Sequence, residues 1–211
     1  MDFNDNPKEA EFRSQVREFL DQNAQKRSEV SLTGSSAGAP ETVSGEDAAK
    51  EALKKAKEWQ KKKAEAGLAA ILWPKEFGGY GGTPIEQVIY QQEEHNYFVH
   101  SGYFEIGIGM LGPTMMVWGK DEDKKRYLPK MLNGEEIWCQ LFSEPSAGSD
   151  LAGIRMKAEK DGSDWILNGQ KVWTSGAHFA DYGMIVARSD PSAVKHKGLT
   201  YFFLDMKTPG I

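Results

Sequence analysis

The residues best suited to chemistry lie together in Gln140–Leu151, which reads QLFSEPSAGSDL. An apolar stretch leads into a hydroxyl, a carboxylate and a proline, and small or hydroxylated residues follow. A loop of this composition exposes backbone N–H groups without bulky side chains, which suits a phosphate or the polar edge of a ring. A simple turn at a strand end, capped by serine or aspartate, accounts for the same residues equally well. The segment therefore predicts either a ligand-binding loop or a turn.

A second segment, Lys171–Gly176, places an aromatic plane, Trp173, beside the hydroxyls of Thr174 and Ser175. This combination suits a flat heteroaromatic ligand that stacks on the indole and accepts or donates hydrogen bonds at its edge. The alternative is a core tryptophan flanked by surface hydroxyls. The segment therefore predicts either a ligand-stacking tryptophan or a core tryptophan.

Other motifs are weaker. Gly107–Gly112 matches G-x-G-x-x-G, but it lies in a helical region and Pro113 follows directly, so it predicts close helix packing rather than a dinucleotide site. The four histidines lack metal-ligand spacing, and we expect no metal site. No serine lies in a G-x-S-x-G motif, so nothing indicates a serine hydrolase.

Composition excludes several classes of protein. The 211 residues contain 26 Lys and Arg against 31 Asp and Glu, so no global basic field attracts nucleic acid. Cys139 is the single cysteine, which excludes an intramolecular disulfide. The longest apolar run, residues 66–73, is too short for a membrane span. The first residues lack the features of a signal peptide. We therefore expect a cytoplasmic protein with no nucleic-acid partner and no membrane span.

The periodicity of apolar residues changes near residue 136. Before it the spacing is helical, and we predict helices over residues 7–26, 46–66, 84–97, 103–118 and 121–132. Thr83 is the expected N-cap of the third helix. Residues 30–45 are rich in Ser, Thr, Gly and Pro, which predicts a flexible loop.

From Ile137 the period becomes two, as in strands with one buried face. Residues 154–159 alternate in this way, and Asp161-Gly162 and Asn168-Gly169 are strong hairpin signals. Tyr182–Arg188 and Leu199–Asp205 bring the number of strands to at least five. The predicted fold class is α+β, with a helical domain over residues 1–136 and a β domain over 137–211.

At the two ligand-type segments the sequence resembles the acyl-CoA dehydrogenase family. Ser143–Asp150, SEPSAGSD, is similar to the family signature [ST]-E-P-x-A-G-S-D, although the family usually has glycine at Ser146. Asn168–Gly176, NGQKVWTSG, resembles its second flavin-contacting stretch. Residues 73–79, WPKEFGG, and 126–135, RYLPKMLNGE, are similar to its N-terminal helical domain. Four ordered motifs make the resemblance specific.

The resemblance implies an N-terminal helical domain, an incomplete antiparallel β-barrel-like middle domain, and FAD at their junction. The reaction it implies is α,β-dehydrogenation of an acyl-CoA thioester, with the hydride passing to the flavin. It further implies an electron-transfer flavoprotein as electron acceptor, and assembly into a homo- or hetero-oligomer.

Site residues follow from the resemblance by position. The nine cofactor-binding residues would be Gln140, Leu141, Phe142, Ser143, Gly148, Ser149, Trp173, Thr174 and Ser175. Of these, Gln140, Phe142 and Ser143 would line the pyrimidine edge of the flavin. Gly148 and Ser149 would lie near the phosphates, and Ser149 would also contact the pantetheine arm of the substrate. Trp173 would pack against the ring, with Ser175 near its reactive nitrogen.

No catalytic base is assigned. In the family this glutamate belongs to a C-terminal helical domain, and the sequence stops at Ile211, so we expect an N-terminal portion that is inactive alone. Glu144 is expected to be a structural carboxylate of the loop. Two alternatives remain: a non-catalytic partner subunit of the same fold, or a same-fold acyl-CoA oxidase or flavin monooxygenase.

Overall fold

The computed structural model describes residues 4–27 and 45–211. The predicted loop over residues 30–45 lies outside these residues except for Gly45. The chain divides after Glu135 into two compact units. We call the residues up to Glu135 the helical unit and Glu136–Ile211 the sheet unit. The predicted α+β class is confirmed.

The described residues of the helical unit form five α-helices: α1 (Pro7–Asn23), α2 (Glu46–Glu65), α3 (Pro84–Glu94), α4 (Gly112–Trp118) and α5 (Asp121–Leu132). Two of them begin with reciprocal capping. The Asn6 side chain accepts from the Glu9 N–H at 3.0 Å while the Glu9 carboxylate accepts from the Asn6 N–H at 2.8 Å. Thr83 and Glu86 make the same pair of bonds at α3, so the predicted N-cap is confirmed.

Both α1 and α3 end about three residues earlier than predicted. The chain after α1 forms strand β1 (Gln25–Lys26), which pairs antiparallel with β2 (Tyr97–Phe98) after α3. Extended backbone replaces the last helical turn because each strand supplies the hydrogen-bond partners that the other needs. This pairing joins residues about seventy positions apart and leaves no signal in local periodicity.

The glycine motif at residues 107–112 permits close packing, as predicted, but the partner at Gly112 is Trp73 in a turn and not a second helix. The chain forms a π-helical turn, Gly107–Leu111, that continues into α4. A Cβ at Gly112 would overlap the Trp73 ring, and the Trp73 indole N–H donates to the Ile108 carbonyl at 2.8 Å. The glycine is therefore needed for close contact with tryptophan.

The core of the helical unit is built on the apolar face of α1. Phe12, Val16 and Leu20 are at most 2% exposed and pack with Trp59 and Ile89. Each such side chain contributes about 1.5–3 kcal/mol through burial.

The sheet unit contains five strands: β3 (Trp138–Leu141), β4 (Lys157–Asp161), β5 (Asp164–Asn168), β6 (Tyr182–Arg188) and β7 (Leu199–Asp205). The central strand is β6, which pairs antiparallel with β7 over its whole length and parallel with β3 over its first half. It also meets β4 in parallel at one register position, Lys157 with Arg188. The sheet is open, mixed in strand direction and barrel-like.

The first predicted hairpin is confirmed, because β4 and β5 pair across the turn at Asp161–Asp164. The second, at Asn168-Gly169, is wrong: β5 ends at Asn168 and residues 170–173 form no strand. Gly169 has φ +158° and packs on Met156, where a Cβ would lie 2.6 Å from the Met156 Cγ. At Gly169 the backbone therefore packs closely on Met156 and does not form the expected hairpin turn.

Candidate functional site

A buried carboxylate organises the predicted ligand loop. Glu144 is 7% exposed and accepts backbone hydrogen bonds from Arg155 (Oε2, 2.7 Å) and Met156 (Oε1, 3.0 Å). Its Oε1 also accepts from the Lys171 ammonium at 2.9 Å. Burial raises the pKa of Glu144, but the two N–H donors and the ammonium outweigh it, and the net pKa is lowered.

Lys171 is the cationic partner of Glu144, and we call this ion pair the Glu144–Lys171 lock. Its side chain is 4% exposed, and its Nζ donates to the Phe142 carbonyl at 2.9 Å as well as to Glu144. Burial lowers the pKa of Lys171, and the neighbouring Glu144 opposes that effect only in part. A buried ion pair with these extra hydrogen bonds fixes the relative position of the two segments that carry it.

Backbone hydrogen bonds complete the connection between the two segments. Glu144 and Ala147 exchange N–H···O=C bonds of 2.8 and 3.1 Å, which closes a tight turn. The Val172 N–H donates to the Ser143 carbonyl at 2.9 Å. The structure therefore brings together the Ser143–Asp150 loop and the Lys171–Gly176 segment, which are separated by the β4–β5 hairpin in sequence.

The first four predicted cofactor residues lead from the sheet into the loop. Gln140 and Leu141 lie in β3, paired with residues of β6. The Leu141 side chain is buried in the core of the sheet unit, so its side chain is not available to a ligand. Phe142 is half-buried with its ring edge-on to Tyr201 at 5.6 Å, and Ser143 is half-buried beside it.

The remaining predicted residues are more open. Gly148 and Ser149 are exposed, and a Cβ at Gly148 would meet nothing within 4 Å. The fold of this unit thus does not itself require glycine there. Ser175 is exposed next to Thr174, whose Oγ1 is buried without a hydrogen-bond partner among the described residues.

Trp173 has an unusual conformation for a large side chain. It is 91% exposed, and its φ of +58° lies in the left-handed region. This conformation costs a non-glycine residue about 1–2 kcal/mol. A fully exposed indole in a strained backbone gives the sheet unit no packing energy, which is typical of a residue placed for a ligand.

These features fit FAD. A flat heteroaromatic ring can stack on the open indole of Trp173, and its polar edge can accept a hydrogen bond from the exposed hydroxyl of Ser175. The free space in front of Gly148 can admit a phosphate close to the backbone. All the residues that we compare with FAD lie between positions 140 and 175 of the sheet unit.

Glu144 is unsuited to act as a base. Both of its oxygens accept hydrogen bonds, and its pKa is lowered, so its affinity for a proton is reduced. The expectation of a structural carboxylate agrees with this geometry.

Sequence reasoning overlooked Lys171 and the N–H groups of Arg155 and Met156. A signal for Lys171 was present, since a lysine that precedes Val172 and Trp173 in a predicted strand needs a partner for its charge if the strand is buried. The N–H groups of Arg155 and Met156 left no signal in the sequence. The alternation of residues 154–159 predicted that they belong to a strand, but β4 begins at Lys157.

The described residues contain neither a metal-binding cluster nor a helix able to cross a membrane. No group of three or more His, Cys, Asp or Glu side chains is placed to bind a metal ion. Among the helices in this part of the chain, none combines the length and the apolar character that crossing a membrane requires.

Two family models match the sequence. Residues 6–135 match the acyl-CoA dehydrogenase N-terminal domain, and residues 139–211 match the acyl-CoA dehydrogenase middle domain. Together they leave few described residues unmatched.

Relatives and solved structures agree with these models. Acyl-CoA dehydrogenase IpdE1 of Mycobacterium tuberculosis is 36% identical over 201 residues, covering 95% of this chain and 50% of IpdE1. Acyl-CoA dehydrogenase FadE34 of the same organism is 49% identical over 148 residues, or 70% of this chain and 20% of FadE34. The solved structure named Tcur3481-Tcur3483 steroid ACAD matches with a TM-score of 0.76 and 30% identity, over 100% of this chain and 50% of that one. This chain thus spans half or less of the length of these proteins.

Proposed function

The chain belongs to the acyl-CoA dehydrogenase family, and we propose that it supplies the FAD-binding loops of an enzyme that dehydrogenates an acyl-CoA thioester. The observation that carries this proposal is the Glu144–Lys171 lock beside a strained, exposed Trp173. The lock fixes two loops, and the residues on them that have no structural use are those suited to a flavin.

FAD, when bound, would supply the hydride acceptor for oxidation of the bond between the α and β carbons. Trp173 would stack on the ring, and the hydroxyl of Ser175 would donate to its polar edge. Ser143 would contact the pyrimidine side. Gly148 and Ser149 would lie near the phosphates, with Ser149 also positioned for the pantetheine arm of the substrate.

The role of the lock is to orient the loops before the cofactor binds. Because Lys171 contacts both the Phe142 carbonyl and Glu144, the backbone that leads into Trp173 has little freedom. A binding site whose loops are already ordered loses less conformational entropy on binding. No residue of the chain is proposed as the base that removes the α-proton.

For the acyl group and the protein partners, our proposal follows the name of a similar solved structure. The name of one structural neighbour specifies a steroid substrate and two proteins, at 30% identity. We therefore propose a bulky acyl-CoA as the first substrate class to test, a hetero-oligomer as the first assembly, and an electron-transfer flavoprotein as acceptor.

FAD titration of the purified chain tests the proposal, with flavin fluorescence quenching and the visible spectrum as readouts. We expect saturable binding. Ser175→Ala should weaken it about fivefold, since one hydrogen bond is worth about 1 kcal/mol. Ser163→Ala, at an exposed serine of the same unit, is the matched control and should bind like wild type. Absence of FAD binding, or equal behaviour of the two variants, would count against the proposal.

A further inference from the structure

The sequence contains two Asn-Gly pairs, Asn133-Gly134 after α5 and Asn168-Gly169 at the end of β5. Such a pair is chemically reactive, because the glycine nitrogen, which no side chain shields, can attack the carbonyl carbon of the asparagine side chain. The attack needs an asparagine side chain that is free to turn towards the main chain and a glycine N–H that is open to solvent. The structure meets these conditions at one pair and not at the other.

The Asn133 side chain is held by two hydrogen bonds to Glu135. Its Nδ2 donates to the Glu135 carboxylate at 2.8 Å, and its Oδ1 accepts from the Glu135 N–H at 3.0 Å. Gly134 is buried, and a Cβ there would lie 2.9 Å from the Gln60 Cβ. Gln60 is itself 1% exposed. Reaction at Asn133 therefore requires that both hydrogen bonds break and that the packing around Gly134 opens.

Asn168 lacks this protection. Asn168 and Gly169 are both exposed, in contrast to the buried Gly134. Within the part of the chain that the structure describes, the Asn168 side chain makes no hydrogen bond and the Gly169 N–H donates none. The pairing of β5 with β4 ends at Asn168. The attacking nitrogen and the carbon that it attacks are therefore both accessible to water, and no hydrogen bond fixes the side chain.

A lysine lies opposite Asn168. Lys157 is its direct partner in the antiparallel pairing of β4 with β5, so the two side chains share one face of the hairpin. Lys157 is exposed and forms no ion pair with any described residue. Its ammonium can stabilise the negative charge that develops as the glycine nitrogen loses its proton and attacks. It can also pair with the carboxylate that results. The surroundings of Asn168 therefore favour the reaction.

From these contacts we propose that Asn168 is a site of spontaneous deamidation in the folded protein, whereas Asn133 is protected. The Gly169 nitrogen gives its proton to water and bonds to Cγ of Asn168. The bond from Cγ to the side-chain nitrogen breaks, this nitrogen takes a proton from water, and ammonia leaves. Water then opens the cyclic succinimide. Opening at one carbonyl gives aspartate, and opening at the other gives isoaspartate, in which the main chain continues through the side-chain carboxyl.

The modified backbone lies next to the Glu144–Lys171 lock. Gly169 packs on Met156, and the Met156 N–H donates to Glu144 at 3.0 Å. Isoaspartate adds a methylene group to the main chain immediately before Gly169, so the close contact with Met156 must shift. We therefore expect isoaspartate at position 168 to loosen the segment that leads to Lys171 and Trp173. An effect on FAD binding rests on the proposed function, and the deamidation itself does not.

Peptide mass spectrometry of the aged chain tests the proposal. The folded chain is incubated at mildly alkaline pH in water labelled with heavy oxygen and is then digested at acidic pH in ordinary water. Only deamidation during the incubation leaves the label at an asparagine position. The peptide with Asn168 should acquire the label about tenfold faster than the peptide with Asn133, since two hydrogen bonds must break before Asn133 reacts. Equal rates, or no label at Asn168, would overturn the proposal.

Incubation of the same chain in urea separates the effect of the fold from that of the neighbouring residues. The label should then enter at similar rates at Asn168 and Asn133, because unfolding removes the hydrogen bonds and the packing that protect Asn133. A tenfold difference that persisted in urea would contradict the structural explanation.

Substitution of the opposing lysine tests the influence of its charge. Lys157→Gln should slow labelling at Asn168 about twofold, the size expected for an exposed cross-strand pair. Lys160→Gln is the matched control, because it removes the same charge from an exposed lysine of β4 that lies opposite Trp165. It should be labelled like wild type. Equal rates in the two variants would refute the role of Lys157.

FAD titration of the aged chain measures the consequence for the lock. The isoaspartate content, determined by enzymatic methylation, should rise with time, and the fraction of the chain that binds FAD should fall with it. Asn168→Asp carries the new charge without the longer main chain and should bind FAD more tightly than the aged chain. Unchanged FAD binding after labelling would refute the link to the lock alone. Absence of FAD binding before ageing would refute the proposed function, while the label at Asn168 would still decide whether the residue deamidates.

Discussion

Glu93 in the helical unit and Glu144 in the sheet unit are both buried carboxylates with cationic partners, but they stabilise different kinds of structure. Glu93 accepts from Arg13 at 2.7 Å and from Arg17 at 2.8 and 3.0 Å, which joins α3 to α1. Glu144 accepts from one lysine and two backbone N–H groups, which joins loops. The first pair supports regular elements that already pack through an apolar core; the second determines the shape of irregular backbone.

This comparison indicates which of the two units depends more strongly on its buried carboxylate for stability. Arg13 has a second partner in Asp5, and the Arg17 side chain is 58% exposed, so neither loses all compensation without Glu93. Lys171 is 4% exposed and has no second carboxylate partner among the described residues. We therefore expect the sheet unit to be more sensitive to loss of its carboxylate.

The largest effect is expected for Glu144→Gln. The substitution leaves the Lys171 ammonium buried without a counter-ion, and it should lower the free energy of unfolding by about 3–5 kcal/mol. FAD binding should be lost with it. Urea unfolding followed by circular dichroism, together with FAD titration, measures both.

A second substitution identifies the cause. Adding Lys171→Met to Glu144→Gln removes the stranded charge and should recover part of the lost stability. Glu159→Gln, an exposed carboxylate of the same unit, is the control and should unfold like wild type. If Glu144→Gln behaved like Glu159→Gln, the lock would have no structural role.

Glu93→Gln should have a smaller effect, about 1–3 kcal/mol, since the glutamine oxygen can still accept from one arginine. Its FAD affinity should remain that of wild type, because all nine predicted cofactor residues belong to the sheet unit and Glu93 belongs to the helical unit. The same urea and FAD measurements apply. An equal loss of FAD binding in both glutamate variants would remove the distinction between the two carboxylates.

The pH dependence of stability provides a third comparison. Burial raises the pKa of Glu93, but Arg17 and Arg13 outweigh it, so the pKa of Glu93 is lowered, as is that of Glu144. Each carboxylate therefore contributes stability that is complete above the ordinary value of 4.5 and is lost as the pH falls through the lowered pKa of the folded chain.

Unfolding by urea at several pH values between 7 and 3 measures this dependence. Wild type should lose stability below the ordinary glutamate pKa, and Glu144→Gln should lose less over the same range, because the contribution of Glu144 is absent. If the free energy of unfolding of Glu144→Gln fell with pH as steeply as that of wild type, the protonation of Glu144 would not be coupled to folding.

The smallest effect on stability is expected for Trp173→Gly. The exposed indole contributes no packing, and glycine relieves the strained φ while adding freedom to the unfolded chain, so the free energy of unfolding should change by at most about 0.5 kcal/mol. FAD affinity should nevertheless fall. Trp138→Ala, at a tryptophan that is 2% exposed, should cost about 3–5 kcal/mol. A similar cost at Trp173 would restore the alternative of a core tryptophan.

Local signals made much of the fold predictable. The starts of α1 and α3 depend on bonds between residues three positions apart, and the change of apolar period near residue 136 marks the change from helices to strands. The motif segments were also found from residue types alone. The ends of α1 and α3 were wrong, because they are set by the pairing of β1 with β2.

The sequence by itself determined the residue types at the candidate site, the family and the order of helices and strands, because these depend on neighbours in the chain. Only the tertiary structure placed Lys171 against Glu144, 27 positions away, and the two arginines of α1 against Glu93, 76 and 80 positions away. Such contacts depend on how elements pack, since burial decides which charges must find a partner and exposure decides which remain open to a ligand.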